Sequence, residues 1–177
     1  MTVLGPLTFF ASVTGVAECV AQSLEDHEID GTLGRPGRVV VVPGREVPWD
    51  GCKCGQLGFA FQHGPYPVRT FPLESSQGTE STGCQLGSLG VQVTASLIRC
   101  EYHPAMAVNG APPSEEAQTA AARLQQIEQF YMRAAITCCL SDQRRNNLID
   151  DYRVGSADYD VNGDCGQVSI VFWIGVD

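Results

Sequence analysis

The chain has 177 residues, of which 44% are apolar and 18% charged, and this composition predicts one globular domain over residues 1–177. Its 20 acidic side chains outnumber its 11 basic ones, so it lacks the cations that coating nucleic acid requires. An acidic surface still suits a passage through which DNA slides without sticking, because like charges repel. The longest nearly apolar run, Val3 to Ala17, is shorter than the roughly 18 to 20 residues of a membrane span, and no basic residue precedes it as in a signal peptide. We therefore expect a cytosolic product that does not enter a membrane.

The first predicted element is an amphipathic helix that follows Gly5-Pro6. Apolar residues recur every three or four positions and define its buried face: Phe10, Val13, Ala17, Val20 and Leu24. The glycine and β-branched residues in this segment lower its helix propensity, so packing must hold the helix in place.

Three strands and a long loop are predicted next. Val39 to Val42 is a β-branched run that predicts a buried strand, and Leu57 to Gln62 predicts a second strand. The stretch from His63 to Gly83 is rich in proline, glycine, serine and threonine, which predicts a long surface loop. Gly90 to Cys100 alternates apolar and polar residues as a half-buried strand does.

A second, longer helix is predicted to begin after Ser114, which can cap it, with Glu115 and Glu116 in its first turn. Its apolar stripe recurs every three or four residues and is expected to be core: Ala120, Leu124, Ile127, Tyr131, Ala134 and Cys138. Asn162-Gly163 then predicts a hairpin between the last two strands. This order of elements predicts an α+β fold, with two helices packed on one face of a mostly antiparallel sheet and a long loop extending from it.

The eight cysteines are the most conspicuous chemical feature. Cys52-x-Cys54 is too short for a zinc knuckle, and a redox Cys-x-x-Cys motif is absent. In a reducing compartment we expect buried free thiols, and Cys138-Cys139 is expected to lie in the core of the second helix. A structural disulfide among Cys52, Cys54 and Cys84 and a small zinc-binding module remain open alternatives.

Other chemical signatures are incomplete. Residues 158–163 match the start of an EF-hand calcium loop, but Ser169 stands where a bidentate glutamate is needed. Phosphate-binding loops and nucleophile elbows are absent, and the three histidines lie far apart in the sequence. We therefore predict no catalytic residue, no metal ligand and no cofactor, and expect that the chain is not an enzyme.

Aromatic, aliphatic and basic side chains interrupt the polar loop at residues 63–83. Such side chains on a loop that cannot bury them usually mark a contact surface, and arginine is favoured at interfaces. We predict that four of them contact a neighbouring subunit or partner: Tyr66, Arg69, Phe71 and Leu73.

Four segments together carry a resemblance to a known family: "VPWDGCKCGQLGFAFQHGPYPVRTFP", "GCQLGSLGVQVTASLIRC", "APPSEEAQTAAARLQQIEQFYMRAAITCCL" and "GDCGQVSIVFWIGV". Over residues 38–177 the chain resembles small neck and tail-completion proteins of long-tailed actinobacterial phages, which are assigned as tail terminators or head-to-tail connectors. Leu140 to Gly155 departs from that pattern.

The resemblance implies a subunit of the lambda-type tail-terminator fold. Copies of it would form a hexameric ring in the virion that caps the tail tube and binds a neck protein, with DNA only passing through the lumen. A head-to-tail stopper or another connector ring is the alternative within the same class. In this interpretation Cys52 and Cys54 fasten the turn at the root of the assembly loop.

Overall fold

The computed structural model describes residues 6–27, 34–48, 55–67, 89–99, 114–162 and 165–176. This part of the chain contains two helices and five strands. Their bounds are α1 Pro6–Asp26, β1 Arg38–Pro43, β2 Gln56–Pro67, β3 Leu89–Arg99, α2 Glu115–Arg145, β4 Asp151–Asn162 and β5 Cys165–Val176. The predicted α+β class and the mostly antiparallel sheet are confirmed.

The strands form one sheet in the order β1-β2-β3-β5-β4. β1 pairs with β2 in parallel, and the other neighbouring pairs are antiparallel. A parallel pair needs a connection that crosses the sheet. Here the chain after β1 passes over β2, where a Cβ on Gly58 would overlap Val47 and the Gln56 side chain donates a 3.0 Å hydrogen bond to the Pro48 carbonyl. Since Leu57 and Phe59 point into the core, this connection lies on the face of β2 away from the helices.

Both helices pack on the other face of the sheet and share one core with it. In α1 the predicted face is correct from Val13 onward, but Phe10 is wrong because its side chain is 51% exposed. Phe9 is buried in its place, and Phe10 stacks on Phe61 at a centroid distance of 6.3 Å. The helix therefore enters the core one residue earlier than the spacing indicated.

β1 is a strand as predicted, but it is not fully buried. Val39 to Val42 are half-buried, and β1 ends the order of strands in the described sheet. A continuous β-branched run fits an edge strand whose two faces are each partly covered, as well as the buried strand that we predicted.

The start of α2 is confirmed in detail. The Ser114 side chain accepts a 3.2 Å hydrogen bond from the backbone N–H of Ala117, and Glu115 and Glu116 occupy the first turn. The helix ends near Asn147, whose φ of 55° is a left-handed conformation that asparagine tolerates better than most residues. The segment from Leu140 onward thus completes α2 and then turns into β4.

The apolar stripe predicted for the core of α2 is wrong. Ile127 is 39% exposed, Leu124 is only half-buried, and Ala120, Ala134 and Cys138 are exposed. Of the predicted residues, Tyr131 is half-buried and packs against the core. The buried residues of α2 all lie from residue 128 onward: Glu128, Met132, Ala135, Ile136, Cys139, Leu140 and Gln143. Two of these are polar, and they interrupt the apolar pattern of the face that packs on the sheet.

Two loop predictions have different outcomes. The hairpin is confirmed, because Asn162 pairs with Cys165 between β4 and β5. The long loop was predicted to begin at His63, but β2 continues to Pro67 and pairs with β3 there, with register shifts after Phe61 and His63. The predicted start of the loop at His63 is therefore wrong, because residues 63–67 belong to β2. Residues 68–83 lie outside the described part of the chain.

Candidate functional site

The outward face of α2 carries two of the four large apolar side chains that are exposed among the described residues, Ile127 and Phe130. Phe130 is 68% exposed, and its ring meets the Tyr131 ring edge-on at a centroid distance of 5.4 Å. Ile127, Ala134 and Cys138 are exposed on the same side of the helix. Phe130 lies beside a row of residues that we call the outer stripe of α2: Ala120, Leu124, Ile127, Tyr131, Ala134 and Cys138. Large contiguous apolar surfaces on single chains usually mark contact sites.

An open groove of about 470 Å³ runs along part of this face. Its lining residues are Phe130, Arg133, Ala134, Thr137, Cys138, Ser141, Arg145 and Tyr152. Arg133 donates a hydrogen bond to the Gly155 carbonyl on β4, and Arg145 donates to Asp142 on its own helix. The lining of the groove therefore combines apolar and hydroxyl side chains with two arginines.

A buried carboxylate lies on the opposite side of α2. The Glu128 side chain is 8% exposed, and its Oε1 atom lies 3.4 Å from Nε of Arg99 at the end of β3. Arg99 also donates a 2.8 Å hydrogen bond to the carbonyl of Gly34, whose φ of 119° favours glycine. This chain of contacts connects α2, the sheet and the segment that leads from α1 to β1.

Burial dominates the electrostatics of this cluster. It raises the pKa of Glu128 from 4.5 to about 7, and the positive charge of Arg99 offsets only part of this effect. Burial, and then the negative charge of Glu128, also raise the pKa of Tyr159 on β4. The Tyr159 hydroxyl lies against Gly166, where a Cβ would overlap it. A raised carboxylate pKa also occurs at catalytic sites, but Glu128 does not line the groove on the outward face of α2.

A disulfide joins the two helices and corrects the prediction of free thiols. Cys19 on α1 is bonded to Cys139 on α2, 120 residues further along the chain. Cys165 is disulfide-bonded as well. Cys138, predicted to be core, is instead a free and exposed thiol. Its neighbour Cys139 points to α1, and successive residues on a helix point in directions about 100° apart.

The same helix–helix contact contains a buried amide. Gln143 donates a 2.9 Å hydrogen bond to the carbonyl of Ser12. Gly15 makes room for it, since a Cβ there would lie 2.7 Å from the Gln143 Nε2 atom. The disulfide and this hydrogen bond to α2 therefore offset the low helix propensity of α1. This agrees with the prediction that packing must hold the helix in place.

Polar side chains form a hydrogen-bonded band on the sheet face away from the helices. Gln62 accepts from Gln92 at 2.8 Å and from Thr94 at 3.1 Å. Further along, Gln167 donates to Ser169 at 2.8 Å. These groups satisfy one another, so the band stabilises the face without presenting an obvious reactive group.

The structure tests few of the predicted site residues. Tyr66 lies on β2, where its backbone pairs with Gly90, and not on the loop. Arg69, Phe71 and Leu73 lie outside the described residues, as do the possible structural cysteines at positions 52, 54 and 84. The predicted contact surface on the loop therefore stays a prediction.

The calcium alternative gains no support from the hairpin. Asp158 and Asp160 are exposed on β4, a strand, whereas an EF-hand loop lies between helices. Within the described residues no group of three or more histidine, cysteine, aspartate and glutamate side chains is placed to hold a metal ion.

Three features of the site were missed from the sequence. Glu128 lies in phase with Met132 and Ala135, at spacings of four and seven residues, so its burial had a periodic signal. The disulfide partner of Cys139 had none, because it depends on how α1 packs against α2. The exposed Phe130 was missed because it lies between the positions of the predicted stripe.

Comparisons with known proteins do not assign this chain to a family: neither a scan against family models nor a search of curated proteins finds a match. Neither of the two described helices is long and apolar enough to cross a membrane.

Proposed function

We propose that this chain is a structural virion protein that assembles into a hexameric ring, caps a phage tail tube and joins it to the neck. One structural observation supports the association of several copies: a single copy leaves the outer stripe of α2 and the neighbouring Phe130 uncovered, with Phe130 68% exposed. The described residues present an apolar surface for assembly, and their buried carboxylate lies under α2, away from the groove. The resemblance of residues 38–177 to phage neck and tail-completion proteins supplies the identity of the assembly.

The loop is the second part of the proposal. If Arg69, Phe71 and Leu73 contact the tail tube protein or the neck protein, their substitution should affect docking and leave ring formation intact. A ring places different faces of each subunit in contact, so ring contacts and docking contacts can be separated by mutation.

Native mass spectrometry and negatively stained images of the purified chain test the ring. We expect particles with six-fold symmetry and six times the 19.0 kDa mass of one chain. A monomer at every concentration, with no ring in the images, would contradict the proposal.

Tail completion tests the docking role. Phage particles made with the double substitution Phe71→Ser and Leu73→Ser should lack joined tails, whereas the control Thr79→Ala in the same loop should complete them. Normal tail joining by the double variant would remove the loop from the proposal and leave the ring to be judged by its mass.

A further inference from the structure

The outer stripe of α2 has the spacing of a coiled-coil seam. Its residues follow one another at intervals of four, three, four, three and four: Ala120, Leu124, Ile127, Tyr131, Ala134 and Cys138. An alternation of three and four keeps one side of a helix facing a partner helix over several turns. Tyr131 is half-buried and also packs against the core and the His27 ring, whereas most of the other seam residues are exposed. The helix therefore carries a second apolar face beside the one that packs on the sheet.

The first half of α2 has no core of its own among the described residues. The buried side chains of the helix begin at Glu128, and residues 115–127 are exposed or half-buried. A helix of 31 residues is about 46 Å long, so roughly 20 Å of it precedes the first buried position. Helical stability in proteins comes mostly from packing of an apolar face, and here that face is Ala120, Leu124 and Ile127.

The charges at the two ends of α2 favour an antiparallel partner. Glu115 and Glu116 lie in the first turn, and Arg144 and Arg145 lie in the last. A second copy in parallel would place like charges side by side, whereas an antiparallel copy places each acidic end beside a basic end. Both arginines also contact acids of their own chain, but their side chains remain 57% and 72% exposed and can reach a neighbour.

The seam is symmetric about its centre, which a two-fold contact requires. In an antiparallel pair centred between Ile127 and Tyr131, these two positions face each other across the contact. Leu124 then faces Ala134 of the other copy, so a large side chain meets a small one, and Ala120 faces Cys138. Alternation of large and small residues lets two helices approach closely.

We propose that two copies of this chain pair through the outer stripes of their α2 helices, antiparallel and related by a two-fold axis. The inference rests on the proposed function only in that the partner is a second copy. A two-fold contact is self-complementary and does not close a ring by itself, so the ring contacts must use other faces. The pair and the ring can therefore fail separately.

The exposed Cys138 thiol provides a built-in probe of this geometry. We expect Ala120→Cys to form a reducible covalent dimer under mild oxidation, because position 120 faces Cys138 of the other copy. The variant Ala120→Cys with Cys138→Ser should lose that cross-link, which excludes the other cysteines as its source. Gln126→Cys is the matched control, since Gln126 is exposed on a different side of α2 and should give no cross-link.

The far-ultraviolet circular dichroism of each variant should match that of the native chain, which shows that the variant is folded. Each cross-linking outcome then supports or contradicts a particular arrangement of the two copies. A covalent dimer of the unsubstituted chain that disappears in Cys138→Ser would indicate parallel pairing and overturn the proposal. An oligomer by native mass without the 120–138 cross-link would overturn the α2 pair and leave the proposed assembly standing. A monomer at all concentrations would overturn both, and cross-linked pairs without rings would support the pair alone.

Discussion

Replacing Glu128 with glutamine should remove most of the pH dependence that this side chain gives to the stability of the fold. The carboxyl group is 8% exposed and lies 3.4 Å from Arg99. Burial raises its pKa from 4.5 to about 7. The folded state therefore holds a proton on Glu128 in a pH range where the unfolded chain has released it.

The sign and the size of the effect follow from this shift. Because the folded state binds more protons than the unfolded state between pH 4.5 and about 7, the free energy of unfolding falls as the pH rises through that window. Each pKa unit corresponds to about 1.4 kcal/mol, so the shift amounts to a loss of about 3 kcal/mol by pH 7.5 relative to pH 4.5. In Glu128→Gln the amide stays neutral throughout, and this contribution is absent.

Urea unfolding at a series of pH values between 4.5 and 8, with the disulfides intact, measures the effect. The stability of Glu128→Gln relative to the native chain should increase by about 3 kcal/mol across this range. Only the change of this stability difference with pH is used, because any pH-independent cost of replacing the carboxylate beside Arg99 then cancels. Glu116→Gln, at an exposed position in the first turn of α2, is the matched control for the change in net charge. A difference between Glu128→Gln and the native chain that is flat within about 0.5 kcal/mol would refute the reasoning.

Three further predictions follow from the packing. Cys19→Ser, which breaks the disulfide that spans 120 residues between the helices, should lower the free energy of unfolding by up to about 5 kcal/mol in urea, and an unchanged midpoint would show that the cross-link contributes nothing. Met132→Ala should cost about 2–5 kcal/mol because that side chain is fully buried, whereas Ile127→Ala at low protein concentration should cost less than about 1 kcal/mol; equal losses would mean that the outer stripe is core after all. Gly166→Ala should displace the Tyr159 ring and thereby change the near-ultraviolet circular dichroism spectrum of the chain. A spectrum identical to that of the native chain would contradict the close contact.

The elements that the sequence predicted well are those with local causes. Ser114 caps α2 through a bond to a residue three positions away, and Asn162 closes a hairpin with its near neighbour Cys165. The alternation in β3 predicted its buried side correctly, since Val91 and Val93 both lie in the core. Such signals are set within a few residues and do not depend on how distant segments meet.

The features that could not be predicted depend on contacts between distant segments. The parallel pairing of β1 with β2 requires a connection across the sheet, and the sequence of β1 fits an edge strand and a central strand equally well. The Cys19–Cys139 bond and the contact of Glu128 with Arg99 both join residues on different elements. A single sequence shows which side chains could take part, but not which of them the fold brings together.

The sequence predicted that the outer stripe of α2 lies in the core, whereas another face of the helix is buried. This error has a physical reason, because α2 carries two apolar faces. The outer stripe is uninterrupted by polar residues, so it gave the stronger periodic signal, whereas the buried face contains Glu128 and Gln143. Each of these polar groups has a specific partner, Arg99 and the Ser12 carbonyl, which is why the fold tolerates it inside. The face with the cleaner pattern is therefore the one that a single copy leaves exposed. Apolar periodicity identifies a helix face that makes a contact, but it does not identify the contact partner. On α2 one face packs on the sheet, and we propose that the other packs on α2 of a second copy.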